Sequence, residues 1–225
     1  MGRVMFGGGK VGMKTPLNGL FLNTIAEGSI VKLNENGSPA EFYVAKHDYE
    51  STLNGTGRTL LVRKDCYDMQ VWHSVNGRNP YANNDIDTWL NGTYKSVLDT
   101  NVQSAIASTK FYYTPGDGNT TVGTLSRAVF MLSHTEYGYA YTGANVEGST
   151  LSIANILKVA YFNGGATNHW TRSPYTGNNS RAWRMTSSGE PSHASTTNSH
   201  GSRPCFTLPS NSLFDKKTLM FKGVA

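Results

Sequence analysis

Residues 170–204 read WTRSPYTGNNSRAWRMTSSGEPSHASTTNSHGSRP. Between Tyr175 and Ser202 there are seven Ser, four Thr, three Asn, three Gly, two His and one Tyr, so twenty of twenty-eight positions are short, polar or turn-prone. A segment of this composition buries no core of its own. It is bracketed by Trp170, Trp183 and the run Arg203-Pro204-Cys205-Phe206-Thr207-Leu208, all packing residues. Anchored at both ends on a core, it becomes a surface of small hydrogen-bonding side chains, the kind found in adaptable binding loops. The stretch predicts a loop-built recognition face and not a catalytic cleft.

Length and composition set the frame around it. A chain of 225 residues suits one domain, or one domain plus an arm. Hydrophobic residues make up 38% and aromatics 11%, enough for a substantial core, whereas charged residues are only 16%, below the roughly 25% usual in soluble domains. That balance favours short strands and loops over a helical bundle. The net charge is +5, but the Lys and Arg are scattered and form no basic stripe, which argues against nucleic acid as a partner. Cys66 and Cys205 stand far apart in apolar-alternating contexts and read as buried thiols, with a disulfide between pairing strands as the alternative. No Cys/His spacing suggests zinc. No long apolar run marks a signal peptide or a membrane span, so synthesis in a cytoplasm without membrane insertion is expected.

Along the chain, residues 1–24, with Gly7-Gly8-Gly9-Lys10, Gly12 and Gly19, read as an extended Gly-rich arm for attachment or oligomerisation, and residues 25–225 as the binding domain. The Gly-Gly-Gly-Lys run lacks the phosphate-loop frame. Strands are expected at 29–33 and 41–45, joined by the turn Glu35-Asn36-Gly37-Ser38, and at 59–63, 110–114 and 128–132. A helix starts at Asn84 or Asp85, with Ile86, Trp89, Leu90, Tyr94 and Leu98 on one face. Val102, Ala105 and Ile106 mark a short second helix, and residues 150–161 a third. Closing strands fall at 181–185, 205–208 and 218–221. Without repeats or a βαβ alternation, the fold class is α+β: small antiparallel sheets, short helices and a long loop-rich C-terminal half.

Five motifs then appear in order: Asp85-Ile86-Asp87-Thr88-Trp89-Leu90-Asn91, Phe130-Met131-Leu132-Ser133, Trp170-Thr171-Arg172-Ser173-Pro174, Ala182-Trp183 and Gly201-Ser202-Arg203-Pro204-Cys205-Phe206. The series, over roughly 25–208, resembles a family of uncharacterised bacterial, prophage and phage domains with a C-type-lectin-like fold. That fold is related to the variable proteins of diversity-generating retroelements, in which adenine-directed mutagenesis rewrites surface codons near the C-terminus. The resemblance implies a framework of Trp89, Trp170, Arg172, Pro174, Trp183, Gly189, Arg203 and Pro204. It implies display positions at Asn168, Tyr175, Thr176, Asn178, Asn179, Arg181, Arg184, Thr186, Ser188, Ser192, His193, Ser195, Thr196, Asn198 and His200. It further implies a phage-tail receptor-binding protein in the virion, oligomeric and plausibly trimeric, attached through residues 1–24 to tail or baseplate neighbours and meeting a host surface protein or glycan. A structural virion subunit without a ligand is the alternative.

Two other properties of lectin-like folds do not carry over. Sugar-binding C-type lectins hold calcium with Glu-Pro-Asn and a later Trp-Asn-Asp, whereas this chain has Glu190-Pro191-Ser192 and no Trp-Asn-Asp. Formylglycine-generating oxidases, a further alternative, need a cysteine pair late in the chain, and only Cys205 lies there. The remaining polar residues point to no chemistry. Arg172 and Arg203 read as guanidiniums that hydrogen-bond loop carbonyls. His169, His193 and His200 have no acidic or thiol companion at useful spacing, His134-Thr135-Glu136 stands without a partner motif, and Asp85 and Asp87 suit a helix N-terminus. No catalytic residue, metal or cofactor is expected.

Overall fold

The computed structural model describes residues 19–225. Of the expected arm, residues 1–18 lie outside the described residues. Residues 19–24 are packed on the domain, with β1 (Gly19–Phe21) followed by a 3-10 turn (Leu22–Thr24) whose Leu22 is fully buried.

The first hairpin follows its turn residues. Asn36 and Gly37 both take positive φ, 49° and 75°, as a two-residue hairpin turn requires. They join β2 (Ile30–Glu35) to β3 (Ser38–His47). Val31, Leu33, Phe42 and Val44 point into the core from this pair. The strands β4 (Arg58–Arg63), β5 (Asp68–Val71), β6 (Thr109–Tyr113), β7 (Gly123–Arg127), β8 (Ala160–Phe162) and β9 (Gly165–Thr167) come next. They are followed by β10 (His169–Pro174), β11 (Arg181–Met185), β12 (Pro191–Ser195), β13 (Ser199–Ser202), β14 (Cys205–Pro209), β15 (Ser212–Asp215) and β16 (Phe221–Val224). The helices are short: α1 (Ser51–Asn54), α2 (Asp85–Trp89), α3 (Lys95–Val97), α4 (Thr100–Ala105) and α5 (Ala154–Leu157).

The strands form a four-stranded sheet in the order β14-β4-β3-β2, a five-stranded sheet in the order β12-β11-β10-β13-β5, a three-stranded sheet β1-β15-β16, and two hairpins. All pairings are antiparallel except β10 with β13. The architecture is of the α+β kind, mostly small antiparallel sheets with few short helices.

At α2 the cap is Asn84, whose Oδ1 accepts the Asp87 N–H at 2.8 Å. Of the expected stripe, Ile86, Leu90, Tyr94 and Leu98 are buried, while Trp89 is only half-buried. The helix loosens into a π turn over Leu90–Tyr94, where Gly92 adds no side chain.

Four expectations need correction. The polar stretch 170–202 is woven into β10, β11, β12 and β13 and is not a long loop. A ladder from Arg181↔Ser195 to Met185↔Pro191 pairs the backbones of β11 and β12, with Ala182 and Ala194 buried on one face and Trp183 and Met185 buried on the other. Backbone hydrogen bonds tolerate Ser and Thr side chains, so composition alone missed the strands. Residues 128–132 form no strand beyond a single bridge, Phe130↔Cys205. Val129, Phe130, Met131 and Leu132 are all buried, and side chains satisfy much of their backbone. The Asn91 amide bonds both N–H and C=O of Val129, Tyr81 Oη accepts the Met131 N–H, and Arg172 Nη1 donates to the Met131 carbonyl. The helix expected over 150–161 shrinks to α5. Leu151, Ala154, Leu157 and Ala160 are buried at a spacing of three, which a run of turns supplies as well as a helix does. The last strand also lies slightly later than expected, at Phe221–Val224.

Candidate functional site

The sheet that carries the polar stretch is fixed to the core by buried arginines. Arg172 on β10 is fully buried. Its Nη1 lies 2.6 Å from Glu136 Oε2, and it donates to the carbonyls of Tyr112 and Met131 at 3.0 and 2.9 Å. Its guanidinium sits 4.7 Å from the Phe111 ring centroid. Glu136 also accepts from Tyr49 Oη at 2.5 Å and from the Ser133 N–H at 2.7 Å. A second buried carboxylate, Glu147, accepts from Ser173 Oγ at 2.6 Å and from the Thr114 N–H at 2.8 Å, and burial raises its pKa. Arg203 donates to the carbonyls of Arg63, Lys64 and Leu157. Both guanidiniums thus donate to main-chain carbonyls, but of those named only Met131 and Lys64 lie in loops; Tyr112 and Arg63 belong to strands and Leu157 to α5. The partner of Arg172 was not legible: Glu136 lies 36 residues away in sequence, in a motif that looked isolated.

Trp170, Arg172, Pro174, Trp183, Gly189, Arg203 and Pro204 are buried, while Trp89 is half-buried against Tyr67 and Tyr94. Both cysteines are buried and free. Burial pushes the Cys66 thiol up to about 12 and raises Cys205, which donates to the Phe130 carbonyl. Among the described residues, no group of three or more His, Cys, Asp or Glu is placed to hold a metal ion.

The fifteen display positions do not share one face. On one side of β11 and β12, Tyr175 stacks on His193 with ring centroids 4.3 Å apart, and both rings meet Trp183 edge-on. Arg181 is exposed, and its Nη1 lies 2.9 Å from His193 Nδ1. Burial and this guanidinium lower the His193 pKa. Ser195, opposite Arg181 in the ladder, belongs to the same side.

On the other side, Arg184 Nη1 lies 2.8 Å from His200 Nε2, His200 packs edge-on against Trp170, and Ser192 pairs with Arg184. Three turns hold most of the rest. Thr176, Asn178 and Asn179 precede β11, Thr186 and Ser188 link β11 to β12 through a 2.9 Å hydroxyl contact, and Asn198 precedes β13.

Thr196 and His200 are corrections to the expected display set. Thr196 is fully buried, its carbonyl accepting the N–H groups of Trp72 and His73, each at 3.0 Å. His200 is 9% exposed and engaged with Arg184, and burial lowers its pKa to about 4. Asn168 is likewise used internally, with its side chain accepting from the Ser187 N–H and its carbonyl from the Gly201 N–H.

The structure adds residues that the sequence reading omitted. The segment 137–143 reads YGYAYTG and lies over Trp183, whose Nε1 donates to the Gly143 carbonyl at 2.9 Å. Tyr141 is half exposed, 5.9 Å from the Tyr139 ring and 6.2 Å from Trp183. Lys158 Nζ lies 4.5 Å from the Tyr139 centroid. Beneath them His134 is fully buried, 4.4 Å from Trp183, with neither ring nitrogen hydrogen-bonded among the described residues. Burial lowers its pKa to about 4. Tyrosines alternating with small residues are themselves a binding-loop signature, so this segment was findable. Asn79 was not. Its buried amide donates to the carbonyls of Tyr175, Asn178 and Arg181 and so fixes the turn before β11. Beside that turn lies a shallow depression of about 150 Å³, lined in part by Asn79, Asn119, Tyr175 and Asn179.

No curated protein and no protein of solved structure matches the chain. Residues 56–210 match a family model described as Domain of unknown function (DUF6273). That span covers more than half of the sequence, and the chain therefore belongs to the DUF6273 family.

Proposed function

We propose that the chain is a non-enzymatic recognition protein with a C-type-lectin-like fold, tail-associated in a phage or prophage. In this reading the face bearing Tyr141, Tyr175, Arg181 and His193 meets a host surface ligand. One observation carries the reading: the polar stretch runs through four of the five strands of a sheet braced by Arg172 and Arg203, and the partly exposed rings of Tyr139, Tyr141, Tyr175 and His193 gather around Trp183 on one side. A rigid scaffold carrying small polar groups and tyrosines loses little entropy on binding. The fold name and the virion location rest on the motif series. Such a face gives modest affinity per copy, and repeated copies in an oligomer such as a trimer raise it by avidity.

A fixed structural virion subunit is the second reading. It is favoured by the internal roles of Asn168, Thr196 and His200, which leave those positions unsuited to diversification. The two readings part when labelled full-length chain is applied to a panel of bacterial strains. Saturable labelling of some strains, displaced by unlabelled chain, is expected of a receptor binder. Uniform undisplaceable labelling, or none across the panel, sides with a structural subunit.

A further inference from the structure

The aromatic row has a direction and a charge at each end. Ring centroids follow one another from Tyr139 to Tyr141 at 5.9 Å, to Trp183 at 6.2 Å, to Tyr175 at 5.6 Å and to His193 at 4.3 Å. Lys158 sits over the first ring and Arg181 is bonded to the last. Neither cation forms an ion pair with a described carboxylate. The row is built from two segments about forty residues apart, joined by Gly143. Gly143 has φ +90°, and a Cβ there would run into the Tyr175 ring.

We infer that this row is the subsite for an acidic saccharide, with sugar rings lying along the row from Tyr141 to the Tyr175–His193 stack and carboxylates or phosphates meeting Arg181 and Lys158. The inference rests on the reading of this face as a recognition surface and names its ligand class. The chemistry argues for sugar over peptide. Tyr141 is half exposed and the depression beside Tyr175 is only about 150 Å³, little room for a bulky apolar anchor, whereas ring faces attract the C–H edges of a saccharide. The neighbouring groups are hydroxyls and amides, from Thr176, Asn178, Asn179 and Ser195, which match a polyhydroxylated ligand in both donors and acceptors. Two cations without protein counter-ions select an anionic ligand, and the Arg181 fork suits a carboxylate or phosphate. No metal is needed for this mode.

The test uses full-length chain titrated with tetragalacturonic acid and with maltotetraose, a neutral probe of equal length, by calorimetry. The acidic probe is expected to bind at least about ten-fold more tightly, with affinity falling as salt is added. Tyr141→Ala and Tyr175→Ala are each expected to weaken it about ten-fold, while Arg181→Gln and Lys158→Gln remove the preference for the acidic probe. Thermal melting of each variant separates lost binding from lost folding. Equal affinity for the two probes, or binding of neither, overturns the inference. Labelling of bacterial strains by the same variants then separates the two levels. Lost labelling without saccharide binding leaves the recognition face standing with another ligand, whereas retained labelling removes the face itself.

Discussion

Replacing Arg172 by Met tests how the recognition sheet is held to the core. The substitution keeps most of the side-chain volume but removes a fully buried guanidinium. Glu136 loses its cation at 2.6 Å, and the carbonyls of Met131 and Tyr112 lose their donors. Removing one partner of a buried ion pair costs about 3–5 kcal/mol, and each stranded buried acceptor adds about 1 kcal/mol or more. Tyr49 Oη and the Ser133 N–H still bond Glu136, which limits the loss. A net loss of about 4 kcal/mol follows, a large part of the roughly 5–15 kcal/mol that holds a domain together. For a domain of this size that lowers Tm by about 8–16 °C. Urea denaturation followed by tryptophan fluorescence, with melting by circular dichroism, measures both quantities. The double variant Arg172→Met/Glu136→Gln removes the stranded charge and is expected to be more stable than Arg172→Met alone, giving a coupling of about 1–3 kcal/mol. A single variant whose Tm stays within about 2 °C of the parent refutes the reasoning.

Three further outcomes follow from the same geometry. Asn79→Ala withdraws the amide from three carbonyls of the 175–181 turn, so hydrogen exchange in that turn is expected to quicken while β14 and β4 stay protected; unchanged exchange there removes Asn79 from its positioning role. Neither Cys66 nor Cys205 is expected to react with a thiol reagent in the folded protein at neutral pH, because burial keeps both protonated, and both are expected to react once urea unfolds the chain. Burial holds His169 down to about 3, so the folded ring stays neutral where the unfolded chain, near 6.5, takes up a proton. Its contribution to stability is complete above about 6.5 and is lost as pH falls toward 3, by about 2 kcal/mol at pH 5. His169→Phe lacks this loss, so its stability gap to the parent is expected to narrow by that amount from pH 7.5 to 5, the raised carboxyls such as Glu147 cancelling in the comparison; a constant gap contradicts the buried neutral imidazole.

Local signals were the legible part of the fold. Asn36-Gly37 marked its hairpin, Asn84 its helix start, and the Ile86, Leu90, Tyr94 stripe its core face, because turn and cap chemistry act within a few residues. Long-range pairing was not legible. β11 and β12 looked like loop because the partner that satisfies each backbone group lies across the ladder, and their short side chains give only a weak alternation. Residues 128–132 looked like a strand because they form a continuous apolar run, yet many of the groups that satisfy their backbone are the side chains of Asn91, Tyr81 and Arg172. The candidate face was partly visible. Tyr175, Arg181 and His193 were among the display positions that the resemblance implied, but nothing local tied them to Tyr139 and Tyr141, and nothing local marked Thr196 as interior.

The most direct test of the central claim is an alanine scan across both sides of β11 and β12, read as labelling of those bacterial strains that the full-length chain binds. Loss confined to Tyr141, Tyr175, Arg181 and His193, with Ser192, Thr186 and Asn198 substitutions labelling as the parent does, is the expected result. Loss centred on the Arg184 side, or labelling unchanged by all of these substitutions, contradicts it.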